Sequence, residues 1–392
     1  MNTVEHPNPK PGRLAALALV ILATAAAVIL AEFSLRLAVN PADFLQATLI
    51  DDPVLGHRIQ PLTTGHDALG YRNIAVPKRA DIVAIGDSMT YGVSAPRDSS
   101  WPQQLGQLLG ENVYNMALGG YGPLQYLYLA QTTAKPLKPR LLVVGFYFGN
   151  DLMDSFYLAH GRPHWHSWRV SAESNDGATA FDAAGQADPQ KRFGALRDWL
   201  SRHSLLYSVL RVTVLQRFAA MEQDRMAQQA SPDTRLLWKD RADPAVRTIF
   251  SSKYRLATID QNLAPVREGM QISQHAFAEL KAEAQRQGIG LLTVLIPTKE
   301  RAYCQYLAKS GETLPDTFTR LCEAEAKANA EFTAFLDMQG MAHLDVLPAL
   351  RARIDRHVQV YPVDSDGHPQ AAGYAAIAEA IAATVRSRFP NH

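Results

Sequence analysis

Asp81-Ile82-Val83-Ala84-Ile85-Gly86-Asp87-Ser88-Met89-Thr90-Tyr91-Gly92 is the stretch from which the rest of the chain can be read. Its first half is a short run of β-branched and small apolar residues, which predicts a buried strand, and the run stops abruptly at a Gly-Asp-Ser turn. A serine hydroxyl is thereby left at the strand's carboxyl end, where open α/β sheets gather their ligands. Taken alone, the turn has a plainer explanation, with Asp87 or Ser88 capping the next helix through a side-chain oxygen.

A serine hydroxyl is a weak nucleophile, and to act as one it needs a base, an acid that orients the base, and donors for the oxyanion. Candidates for all of these follow. Tyr361-Pro362-Val363-Asp364-Ser365-Asp366-Gly367-His368-Pro369 puts a histidine two residues after an aspartate, just ahead of a helix-forming run. Asn115-Met116-Ala117-Leu118-Gly119-Gly120-Tyr121-Gly122 and Gly145-Phe146-Tyr147-Phe148-Gly149-Asn150-Asp151 each close an apolar run of their own. Each fragment is weakly specific: Asn150 suits an Asx-turn at a strand end, and His368 suits a surface turn. Serine, glycine, asparagine and histidine blocks in that order are far more specific.

With these four blocks the chain resembles the SGNH, or GDSL-type, hydrolase superfamily, in its membrane-anchored exported branch. The resemblance implies a three-layer flavodoxin-like α/β fold with Ser88 as nucleophile and His368 as its base. The oxyanion donors would be the backbone N–H groups of Ser88 and Gly120 and the side-chain amide of Asn150; glycine suits such a place because it tolerates φ > 0 and leaves its N–H open to a carbonyl. The orienting acid departs from the common family spelling, which has aspartate three residues before the histidine, here Ser365. Asp366 is the reading, since Asp-Gly-His-Pro resembles a spelling of the membrane-anchored branch, with Asp364 as the alternative. The implied reaction is hydrolysis of an acyl ester, acetyl esters included, of a small molecule or glycan through a Ser-His-Asp acyl-enzyme, with no cofactor and no metal. The alternatives are an O-acyltransferase working on an exported polysaccharide with a membrane acyltransferase partner, and a non-catalytic glycan-binding protein of the same fold.

Leu14 to Ala31 is an uninterrupted apolar run. At about 18 residues it reaches about 27 Å as a helix, enough to cross a hydrocarbon core. Lys10 and Arg13 precede it while Glu32 and Arg36 follow, which by the positive-inside rule favours a cytoplasmic amino terminus and a body on the periplasmic or extracellular side. A cleaved signal peptide is the competing explanation. The formal net charge of +1 and the lack of a basic stripe argue against nucleic acid as a partner. Cys304 and Cys322 are the only cysteines; outside the cytoplasm they either pair or remain buried thiols, and neither has zinc-ligand spacing.

The expected organisation is a cytoplasmic tail (1–13), the anchor (14–31), an irregular stalk packed on the body (32–78), the first part of the catalytic domain (79–151), a mostly helical insertion or lid (152–262) and the second part (263–392). Strands are expected near Val113–Met116, Leu141–Phe148, Gly288–Ile296 and Ala342–Leu347 in addition to the first. Five strands alternating with helices predict a parallel sheet. The insertion shows no strand run; His160 to Trp168 reads as a loop over the pocket, and metal ligation or an aromatic sugar platform is a lesser reading. His203 to Phe218 is more apolar than a solvated helix and is expected to pack on the body, lie on the membrane or meet a partner. Lys299 and Glu300, at another strand end, are expected either to touch substrate or to be solvated; Pro297-Thr298-Lys299-Glu300 resembles a motif of exported SGNH-like proteins that work with polysaccharide acetylation machinery.

Overall fold

A computed structural model describes residues 12–170, 194–311 and 313–390, with the side chains of residues 214–222 outside the description. The polar Gly/Ala/Asp-rich stretch of the insertion, 171–189, falls outside the described residues.

The chain opens with α1 (Arg13–Ala38), a helix longer than the apolar run that nucleates it and buried nowhere along its length. By length and composition it can cross a membrane. The segment expected as an irregular stalk instead contains an antiparallel hairpin, β1 (Leu49–Asp52) and β2 (Gly56–Ile59), closed by Asp52 accepting from the Val54 and Leu55 N–H groups.

The body alternates β3 (Ile82–Gly86), α2 (Ser88–Tyr91), α3 (Trp101–Leu109), β4 (Val113–Ala117), α4 (Pro123–Gln131), β5 (Leu141–Tyr147) and α5 (Asp151–Gly161). The insertion continues with α6 (Gly194–His203), α7 (Leu205–Leu210) and α8 (Gln216–Gln229). It also holds a small antiparallel pair, β6 (Leu236–Lys239) and β7 (Arg247–Phe250), where no strand was expected, and then α9 (Ser252–Ile259). Alternation resumes with α10 (Ala264–Gln287), β8 (Gly290–Ile296), α11 (Lys299–Lys309), α12 (Asp316–Met338), β9 (Ala342–Asp345), α13 (Leu347–Ile354) and α14 (Ala371–Arg388).

Five strands form one parallel sheet in the order β4-β3-β5-β8-β9, the flavodoxin-like arrangement, with helices on both faces. The pleat sorts the side chains: Val83 and Ile85 enter the core shared with α4, α10 and α12, whereas Ile82 and Ala84 enter the one shared with α3, α13 and α14. Because β3 and β5 are buried along their whole length, their runs read as continuously apolar in the sequence, and β4, equally buried, departs from this only at Asn115. The two cysteines are bonded to each other, Cα–Cα 6.2 Å, and clip α11 to α12. A loop of about this size contributes roughly 3 kcal/mol in the chain-entropy model.

Candidate active site

Three of the sequence blocks emerge side by side, because β4, β3 and β5 are neighbours in register and their carboxyl ends coincide. After β3, Asp87 caps α2 by accepting from Met89 N–H at 2.9 Å, so the capping reading of the turn holds and Ser88 becomes the first helical residue. Its Oγ meets His368 Nε2 at 2.7 Å. On the far side of the ring, His368 Nδ1 lies 2.5 Å from Asp366 Oδ1, which also accepts from the His368 backbone N–H at 3.1 Å. Serine, imidazole and carboxylate thus form one continuous hydrogen-bonded line. Asp364, the alternative acid, points elsewhere, and its Oδ1 accepts from Asp366 N–H at 2.9 Å.

The Asp366 carboxylate is held at both oxygens. Burial alone would raise its pKa, but the hydrogen bond and charge of His368, with the hydrogen bond from Ser94, outweigh burial and hold it well below the usual carboxylate range. Ser94 donates to Oδ2 from a left-handed backbone conformation, φ 64°, that a residue with a Cβ rarely adopts. Its loop is fixed in turn by Tyr374 of α14, whose hydroxyl donates to Val93 O at 2.9 Å.

The acid loop is clamped from beneath by Lys299. Its Nζ donates to Ile249 O (2.7 Å), Asp366 O (2.9 Å), Thr248 Oγ1 (3.0 Å) and Asp364 O (3.1 Å). Burial brings its pKa down to about 8. The expectation that Lys299 and Glu300 reach substrate or solvent is therefore corrected: both are 1% exposed, and Glu300 accepts from Ser251 N–H at 2.9 Å. The unexpected β6–β7 pair supplies half of this clamp, since Thr248 and Ile249 lie on β7.

Gly119 lies against the serine, where a Cβ would sit 3.5 Å from Ser88 Cβ, and Gly120 follows at φ 78°. This turn is braced by the stalk hairpin: His57 Nε2 contacts Gly119 O at 2.9 Å, and Tyr121 Oη donates to His57 O at 2.9 Å. Asn150 sits just past β5 at the start of α5. Its Nδ2 donates to Asp154 Oδ2 at 2.5 Å, while its Oδ1 is buried without a hydrogen-bond partner. Burial, reinforced by the nearby Asp87 charge, pushes the Asp154 carboxyl up to about 8.

Arg255, on α9, joins the asparagine and histidine blocks. Its guanidinium donates to Gly149 O at 3.3 Å, lies over the Tyr147 ring at 5.6 Å, and sits so close to Gly367 that a Cβ there would be 2.8 Å from Nη2. Ser94, Lys299 as a clamp, His57 and Arg255 carry no sequence motif that reveals these contacts. The His160–Trp168 segment is structural and does not cover the line of site residues: Trp165 is buried and donates to Val54 O at 2.8 Å, and His160 pairs with Glu268 at 2.9 Å.

A family model described as an SGNH hydrolase-like domain, acetyltransferase AlgX, matches residues 256–392, which include Lys299, Asp366 and His368 but not Ser88. No curated protein matches the chain. Among solved structures, an extracellular lipase from Streptomyces rimosus aligns at 15% identity over 79% of this chain and 99% of its own (TM-score 0.39). Phospholipase A1 from Streptomyces albidoflavus aligns at 13% over 79% and 99% (TM-score 0.40). An acetylxylan esterase from Geobacillus stearothermophilus aligns at 10% over 78% and 94% (TM-score 0.37). The C-terminal third of the chain therefore matches an SGNH hydrolase-like family model, and the rest shares with that reading a parallel sheet in the order β4-β3-β5-β8-β9 with the Ser88, Gly120 and Asn150 blocks at its strand ends.

Proposed function

We propose that this protein is a serine esterase that forms an acyl-enzyme on Ser88. The observation that carries the reading is the 2.7 Å contact between Ser88 Oγ and His368 Nε2, backed by Asp366 at 2.5 Å from Nδ1. Ser88 Oγ attacks the ester carbonyl while His368 Nε2 takes its proton, and Asp366 fixes the tautomer and stabilises the imidazolium. His368 then gives the proton to the leaving alkoxide, releasing the alcohol. Water attacks the acyl-enzyme with His368 again as base, and the carboxylic acid leaves.

Charge on the carbonyl oxygen is met by the N–H groups of Ser88 and Gly120 and by the Asn150 amide. Turning that amide by 180° gives its Oδ1 a donor in Asp154, whose raised pKa keeps a proton on the carboxyl at neutral pH, and frees Nδ2 for the oxyanion.

A second reading has a specific observation in its favour, the match of residues 256–392 to a family described as an acetyltransferase. In it the acyl group is acetyl and the acceptor is a hydroxyl of an exported glycan rather than water, with the same first half-reaction and an acyl donor protein in the membrane. Under either reading the body lies on the exported side of a membrane crossed by α1. The Cys304–Cys322 bond supports that side, since disulfides persist outside the reducing cytoplasm.

Two measurements test this. A serine-directed fluorophosphonate labels wild type and spares Ser88→Ala; labelling of both, or of neither, removes Ser88 as the nucleophile. Turnover of an aryl acetate without and then with a soluble polysaccharide separates the two acceptors. Acetate alone supports hydrolysis, and acetylated polysaccharide formed at the expense of acetate supports transfer.

A further inference from the structure

Glu32 is the first charged residue after the apolar run of α1, and it is tied to the insertion. Glu32 Oε1 accepts from Leu205 N–H at 3.0 Å, and Oε2 accepts from Leu206 N–H at 2.9 Å and Ser204 Oγ at 3.1 Å. Arg36 pairs with Glu32 at 2.8 Å and donates to His203 O at 2.7 Å. Residues 203–206 are therefore held one hydrogen bond away from the place where the apolar run ends.

A span of about 18 apolar residues only just crosses a hydrocarbon core, which puts the first charge after it at headgroup depth. Whatever is bonded to that charge shares the depth. The joint between α6 and α7 is consequently positioned at the bilayer surface by geometry rather than by its own composition.

What α6 presents there is suited to lipid. Leu196 and Trp199 are three apart and share a face, and they are 54% and 56% exposed; Leu210 and Val212 continue the exposed apolar surface beyond the joint. The Trp199 ring stacks on His203 at 5.0 Å, which holds the indole against its helix. Arg197 and Arg202 accompany it on α6 against a single acidic residue, Asp198. An amphipathic ring beside arginines is the pattern of an interfacial anchor.

We propose that α6 and α7 form a membrane-surface element, lying in the headgroup layer of the bilayer that α1 crosses and inserting Leu196 and Trp199 into it. The proposal rests on α1 being a membrane span and is independent of the chemistry at Ser88. Its consequence reaches the active site, because the same insertion touches the acid loop. Arg211, Val212 and Gln223 line a cavity of about 770 Å³ together with Ser94 and Asp366. Gln223 also accepts from Ser365 N–H at 3.5 Å. The acid side of the site is thus held close to the membrane, where a membrane-borne acyl donor or acceptor would arrive.

The test uses the full chain reconstituted in phosphatidylcholine/phosphatidylglycerol vesicles, with and without brominated acyl chains, which quench tryptophan only on contact. Trp101, Trp165 and Trp238 are buried in the body and serve as the internal reference. The expected result is that brominated lipid removes half or more of the emission assigned to Trp199 by difference from Trp199→Phe. Leu196→Trp in the Trp199→Phe background then restores a quenched component. A chain that floats with the vesicles while both reporters stay unquenched overturns the proposal and leaves the anchor intact, which would mean that this face meets water, a second copy or another protein. A chain that fails to float removes the span and the proposal with it.

Discussion

Replacing Ser94 by alanine isolates the hydrogen bond on the outer oxygen of Asp366. Ser94 occupies the left-handed region at φ 64° and donates to Asp366 Oδ2; holding a Cβ in that region costs roughly 1 kcal/mol. Alanine keeps the strain and removes only the donor. A hydrogen bond to a charged partner is worth about 1.5–3 kcal/mol. If the transition state realises all of it, kcat/KM falls by about 10- to 150-fold with little change in KM. Aryl acetate hydrolysis by wild type, Ser94→Ala, Asp366→Asn and the double variant measures this. Because Ser94 acts through Asp366, the double variant should be no slower than Asp366→Asn alone, and an equal further loss in both backgrounds refutes the reasoning. The same bond has a signature in stability. The Asp366 pKa is depressed from 3.8 in the folded state, so its contribution is present above that value and is lost as pH falls toward the lower folded one. Ser94→Ala raises the folded pKa, so in urea titrations the acid-side loss should still begin near the unfolded value but be smaller and end at higher pH.

Three further outcomes follow from the geometry. Asp366→Asn should lower kcat by roughly 10⁴-fold, as loss of a triad acid does, while Asp364→Asn should leave kcat within about tenfold of wild type, since its side chain meets a backbone N–H and not the imidazole. Gly149→Ala should slow turnover by at least about tenfold through displacement of Asn150, because a Cβ at Gly149 would fall 2.2 Å from Tyr147 Cζ; esterase kinetics with a thermal melt separate this from unfolding. Asp87 is fully buried, and burial pushes its carboxyl up from 3.8 to about 6. A raised acid stabilises the fold most below its unfolded value, so wild-type stability should fall by about 3 kcal/mol as pH rises from about 3 to about 7, and Asp87→Asn should abolish that component in urea unfolding at the two pH values.

The sheet was legible because its central strands are buried on both faces, which leaves apolar runs that end at glycine or asparagine turns. The β1–β2 and β6–β7 pairs were not. Leu49–Asp52 and Gly56–Ile59 are half polar because one side meets solvent, and Leu236–Lys239 is four residues long, too short to show a period. Ser88, His368 and Asp366 were readable as letters in blocks, Ser88 at the end of β3 and Asp366 and His368 in the loop that leads into α14. Lys299 was readable only as a charge in a loop. Three of its four partners are main-chain carbonyls from two distant segments, and carbonyls leave no trace in side-chain identity, so nothing local distinguishes a buried ammonium from a solvated one. Ser94, His57 and Arg255 are hidden for the same reason: each acts through a contact with a residue more than fifty positions away.

Because Lys299 grips the segment at Asp364 and Asp366 by backbone oxygens, it is indifferent to the side chains mounted there. The segment behaves as a fixture into which different letters can be slotted, so an aspartate can move by one place relative to the histidine without the mounting being rebuilt. That freedom accounts for a spelling with two residues between neither acid and the base. It also marks Val363 and Ser365 as the places where a protein engineer could rewrite the rim while leaving the hydrogen-bonded line from Ser88 through His368 to Asp366 standing.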